Sequence, residues 1–91
     1  MNKSLLKEFV TTLSTGQEVV FTLDNQKFFA QGWVEGGDHI LSIERWIPRS
    51  DGYFWVCKDP GNYPIERFLT DKIFQGKSFA DVADKIEWVS D

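Results

Sequence analysis

Between residues 17 and 58, apolar and polar residues alternate along strand-length runs, and large aromatics fall on both phases of that alternation. Period-two alternation specifies β-strands, because successive side chains point to opposite faces of a sheet. A solvated sheet face is ordinarily polar. Phe29, Trp33, Trp46, Tyr53 and Trp55 therefore leave this chain with two apolar sheet faces to cover.

The runs also suggest a register. In residues 17–23, QEVVFTL, Val19, Phe21 and Leu23 share one face, face A, while Glu18, Val20 and Thr22 share face B. Asp24-Asn25-Gln26-Lys27 is turn chemistry. With Asn25 and Gln26 as a two-residue loop, Asp24 faces Lys27 as an opposite-charge pair. Leu23, Phe21 and Val19 then face Phe28, Ala30 and Gly32, and Phe29, Gln31 and Trp33 fall on face B. Gly36-Gly37 marks a second hairpin that sets Val34 opposite His39. Leu41, Ile43 and Ile47 fall on face A; Ile40, Ser42, Glu44 and Trp46 fall on face B. That register opposes Glu35 and Asp38, two like charges. A longer loop through Asp38 would relieve the repulsion, and a one-residue slip would exchange the two faces. Residues 48–52 form a loop, and residues 53–58, YFWVCK, form a fourth strand of ambiguous phase. Asp59-Pro60-Gly61-Asn62 stops it.

Helices flank this middle. Leu5, Leu6, Phe9, Val10 and Leu13 make one apolar stripe over a helix at residues 3–15, with Gly16 at its left-handed stop. Pro64 suits a helix start, with Ile65, Phe68, Leu69 and Ile73 as the apolar stripe and Gly76 as the stop. Ser78 reads as an N-cap with Asp81 in the capping-box position, ahead of Phe79, Val82, Ala83 and Ile86. Residues 86–89, IEWV, are a short last strand or an extended tail. The expected fold is α+β: an N-terminal helix, a four-stranded antiparallel meander in the order 1-2-3-4, and two short C-terminal helices. Its 91 residues make one small domain, residues 1–91.

Composition narrows the function. A net charge of −4, spread along the chain, argues against a phosphate-backbone binder and against docking on anionic lipid. One Cys and one His cannot close a zinc site, and no cofactor motif is present. Residues 1–12 lack the apolar core of a signal peptide, and no apolar run reaches membrane-span length, so the expected location is cytoplasmic. Gly76-Lys77-Ser78 superficially matches the end of a phosphate-binding loop. Asp71 stands where that loop needs its first Gly, and a helix stop followed by an N-cap explains all three residues. His39 and Cys57 are the one conceivable base–nucleophile pair, but a strand Cys beside Trp55 and Val56 is ordinarily inert. No spacing of acids supports paired-carboxylate chemistry, so a non-enzymatic protein is expected, with no catalytic residues.

The aromatics remain. If the first helix crosses face B, they are core and nothing is exposed. If all helices crowd face A, face B stays open and marks a site for a protein partner or a second copy of the chain. Trp, Tyr and Arg are enriched where interfaces draw their energy. The candidate partner-binding residues are Phe29, Trp33, Ile40, Arg45, Trp46 and Trp55. Single-stranded nucleic acid could stack on the same aromatics, although the usual basic groove is missing.

The run Phe68-Leu69 … Lys72-Ile73-Phe74-Gln75-Gly76-Lys77-Ser78-Phe79 resembles small uncharacterised bacterial and phage proteins, which share a strand meander followed by FL-x-x-KIF-x-GKSF. The resemblance covers about the last two-thirds of the chain. It implies a bacterial or phage origin and transfers no active site. Toxin immunity proteins and phage-encoded inhibitors include acidic, aromatic-rich chains of this size, an analogy of size and charge alone.

Overall fold

A computed structural model describes residues 1–89. Helix α1 (Lys3–Leu13) starts at Asn2, whose side-chain oxygen accepts from the Leu5 backbone N–H at 2.8 Å. Strands β1 (Val19–Leu23), β2 (Gln26–Glu35), β3 (Asp38–Ile47) and β4 (Trp55–Asp59) form an antiparallel meander. Helices α2 (Ile65–Thr70) and α3 (Phe79–Val82) follow, then a 3-10 turn over Ala83–Lys85. The tail is a strand, β5 (Glu87–Val89), which pairs with the free edge of β1 and gives the sheet order β4-β3-β2-β1-β5.

The first hairpin differs from expectation by a shift of two residues. Leu23 pairs with Gln26 and Phe21 with Phe28, so the loop is Asp24-Asn25 rather than Asn25-Gln26. The tight hairpin turn needs positive φ at both loop residues, and Asp24 (49°) and Asn25 (64°) tolerate it better than Gln would. A two-residue shift keeps every side chain on its face. The second hairpin does pair Val34 with His39 and Glu35 with Asp38 across Gly36-Gly37. Both glycines take positive φ, and that turn geometry outweighs one solvent-screened like-charge pair.

A bulge then alters the end of β3. Phe28 pairs with Arg45, but Lys27 pairs with Ile47, so Trp46 is an extra residue. Ile47 therefore turns to the Lys27 side, face B, and is exposed rather than part of the core as expected. Helix α2 also ends early, at Thr70, because Asp71 takes an extended backbone. The Asp71 carboxylate accepts from Trp55 Nε1 at 2.9 Å and from Arg67 Nε at 2.9 Å, and both bonds hold the end of α2 over β4.

All three helices pack on face A. Phe21 lies at the centre: it stacks on Phe28 at 5.2 Å and takes ring edges from Phe9 of α1 at 5.9 Å and Phe79 of α3 at 5.3 Å. Phe68 of α2 joins through Phe79 at 5.0 Å and Trp55 at 5.7 Å. At one end of this layer Tyr63 lies across Gly16 and Gly32. A Cβ on Gly32 would stand 2.6 Å from Tyr63 Cε1, so backbone and ring meet there without space for a side chain.

Two predictions follow from this frame. Gly32→Ala should destabilise the fold by about 1–3 kcal/mol through overpacking, and Tyr63→Ala should remove most of that cost. Chemical denaturation of the double-mutant cycle measures it. The second concerns acid. Hydrogen bonds from Arg67 and then Trp55 hold the Asp71 carboxyl below its ordinary value. The Ser78 backbone N–H, then its hydroxyl, do the same for Asp81 in the capping box. Lowered folded-state values mean the unfolded chain takes up protons first. Their contribution is complete above the usual carboxylate range, near pH 4, and is lost as the pH falls through the lowered values. Asp71→Asn and Asp81→Asn together should flatten the acid limb of a thermal-melt series between about pH 4 and pH 2.

Candidate functional site

With every described helix on face A, the other face of the sheet has no helix over it among the described residues. Its surface is built by the strands' own side chains: Val20 and Thr22 from β1, Phe29, Gln31 and Trp33 from β2, and Ile40, Ser42 and Glu44 from β3. Val56 and Lys58 extend it on β4, where they pair with Ser42 and Ile40.

Four aromatic rings organise this face as two pairs. Phe29 and Trp46 lie parallel, with centroids 4.8 Å apart and planes 10° from coplanar. The stack lies at the bulge, where Trp46 is the extra residue of β3. Trp33 and Tyr53 form the second pair at 6.2 Å, and Trp33 Nε1 donates to Glu35 Oε2 at 3.3 Å. Val20, Ile40 and Ser42 are buried although no helix crosses them, so the aromatic side chains serve as their roof. The outer surface of that roof is solvent-facing: Trp46 is 40% exposed, Val56 50%, Tyr53 51% and Ile47 55%.

The six candidate residues divide between the faces. Phe29, Trp33, Ile40 and Trp46 come together on face B as expected. Trp55 does not: it pairs with Ile43, is buried, and packs on Phe68 in the core. Its indole N–H is committed to Asp71, which fixes the ring on face A. Arg45 also lies on face A, opposite Phe28, with its guanidinium 5.9 Å above the Phe54 ring. Its Nε donates to the Pro48 carbonyl at 3.0 Å and its Nη1 to Gln26 Oε1 at 3.3 Å. Tyr53, Val56 and Ile47 are the surface residues that sequence reasoning did not select. The phase of β4 carried no sequence signal, since YFWVCK is apolar on both parities, and the bulge that exposes Ile47 has no local signature.

Face B carries mixed charge, with Lys27, Lys58, Glu44 and Glu87, and no basic stripe among the described residues. His39 and Cys57 lie on diagonally related positions of β3 and β4. No hydrogen bond joins them among the described residues, and the His39 ring instead meets Tyr63 edge-on at 4.9 Å. Among the described residues, no helix is long and apolar enough to cross a membrane. No family model, curated protein or solved structure matches this chain.

Ser42 gives this face a measurable internal feature. It is 0% exposed and its Oγ has no hydrogen-bond partner among the described residues. A buried unpaired hydroxyl costs stability. Ser42→Ala should therefore leave the fold as stable or raise stability by up to about 1 kcal/mol. A loss above about 1 kcal/mol in urea denaturation would mean that the hydroxyl is paired after all.

Proposed function

We propose that this chain is a non-enzymatic protein-binding module, of the inhibitor or immunity kind, whose protein partner or second copy docks on face B. The observation that carries this reading is the open face itself: two aromatic pairs roofing the sheet, with Trp46, Tyr53, Val56 and Ile47 at its outer surface. A soluble monomer rarely leaves a contiguous apolar patch of this kind uncovered. Trp and Tyr are the side chains on which interface energy concentrates. Trp46 is held by its stack on Phe29 and Tyr53 rests against Trp33 in a tilted contact, so docking immobilises few rotamers. The chain's charge of −4 and the absence of a basic stripe on this face favour a protein over a nucleic acid.

Two surface variants test the proposal. Val56→Glu alters a half-exposed side chain and should change thermal stability by no more than about 1 kcal/mol. Trp46→Ala also removes the stack on Phe29 and should cost about 1–2 kcal/mol, with the fold kept. Each should weaken a stoichiometric complex from the native host, or a homodimer seen by analytical ultracentrifugation, by about tenfold or more. Trp55→Ala is the opposite control: it should cost about 3–5 kcal/mol of folding stability by opening a cavity. Binding that survives both surface variants would remove face B from the reading. Titration with single-stranded oligonucleotides at low salt discriminates the other class of partner. Affinity that falls steeply with salt would assign the stacked aromatics to nucleic acid instead.

A further inference from the structure

On face A, at the end of the sheet away from Tyr63, the core does not close. A cavity of about 190 Å³ opens between the tips of β1–β3 and the segment joining α2 to α3. Its apolar wall includes Leu23, Phe28, Phe54 and Phe74. Three cations line it, Arg45, Lys77 and Lys85, against one acid, Asp24. A net of two positive charges is thereby concentrated on a small apolar hollow, in a chain whose total is −4.

We propose that this cavity binds a small aromatic carboxylate, a single ring carrying one anionic group. The ring class follows from the walls. Phe28, Phe54 and Phe74 meet one another at centroid distances of 5.0–5.6 Å in edge and tilted contacts, the geometry a further ring can extend. The charge class follows from Arg45. Its two hydrogen bonds use two of five guanidinium N–H groups, and its carbonyl and amide partners leave its charge unneutralised. Arg45 lines the cavity with three of those N–H groups uncommitted, and a planar fork of that kind matches a carboxylate. Lys77 and Lys85 supply point charges from the opposite wall, although Lys77 also draws on Asp81. The size class follows from the volume, which lies below the usual range for drug-sized ligands, about 300–1,000 Å³.

The wall that carries Lys77 is a tight two-residue turn. Phe74 and Lys77 exchange backbone hydrogen bonds of 2.9 and 3.1 Å across Gln75-Gly76, with both loop residues at positive φ, 54° and 82°. Ser78 takes no part in the cavity: its hydroxyl accepts from the Asp81 N–H as the cap of α3. The site is therefore distinct from a phosphate-binding loop, and it is separated from the docking face by the sheet.

The test is a titration of the isotopically labelled full chain with phenylacetate, benzyl alcohol and acetate, followed by amide chemical shifts. Phenylacetate should produce saturable shifts at Leu23, Arg45, Gln75 and Lys77. Benzyl alcohol, which lacks the charge, and acetate, which lacks the ring, should each bind about tenfold more weakly or worse. Lys77→Gln and Lys85→Gln are exposed changes that leave the fold intact, and each should weaken phenylacetate about threefold. Arg45→Gln should weaken it by about tenfold or more. Equal affinity for benzyl alcohol, indifference to both lysine variants, or the absence of a saturable shift at these amides would each overturn the assignment. Shifts confined to Phe29, Trp46 and Tyr53 would do so too, and would assign the ring to face B.

Discussion

The contact on which the rest depends is the meeting of Phe9, Phe21 and Phe79 over the centre of β1. Each ring comes from a different element, and each is fully buried. None of the three elements can bury its apolar side alone. α1 has one stripe, α3 is a single turn, and β1 is five residues long. Phe21 is the common floor, so the helices compete for one face of the sheet and leave the other to itself. Burial of Phe68 against Phe79 then draws α2 into the same layer.

Connectivity reinforces this choice. β4 and β5 lie on opposite edges of the sheet and run in the same direction, since each is antiparallel to its neighbour and three strands separate them. The chain between them must cross the whole sheet, and such crossovers between parallel strands are held to one hand. α2 and α3 are therefore confined to one face together. The Trp55–Asp71–Arg67 bonds tie the start of that crossing to β4, and the Ser78–Asp81 capping box starts its second helix. Among the described residues, no element is left to cover face B. It is roofed by its own aromatics, and a packing shortage thereby leaves an apolar outer surface on the sheet.

Much of the local structure was legible in the residues. Asp24-Asn25 and Gly36-Gly37 announce turns, because few residues accept positive φ; Ser78 and Asp81 announce a helix start, because both can satisfy unpaired N–H groups. Face parity survived even where the first loop was placed one residue late, since the register error was two residues and side chains repeat every two. Of the candidate surface, Phe29, Trp33, Ile40 and Trp46 were placed together by parity alone. Trp55 and Arg45 were not, because the reading of β4 lacked alternation and because side-chain type alone does not decide burial. The indole of Trp55 found a carboxylate sixteen residues away, a contact no local pattern encodes.

The sequence by itself determined most of the elements, the order of the four-stranded meander and which residues share a face from β1 to the middle of β3. Those follow from short-range physics: backbone sterics at turns, caps at helix starts, and the two-residue repeat of a strand. The tertiary structure decided that α1 joins α2 and α3 on face A, that the β3 bulge turns Ile47 outward, that Trp46 stacks on Phe29, and that Arg45, Lys77 and Lys85 gather on one hollow. Those outcomes depend on where separate elements come to rest against one another. That is settled by competition for a shared buried floor rather than by any residue's neighbours in the chain.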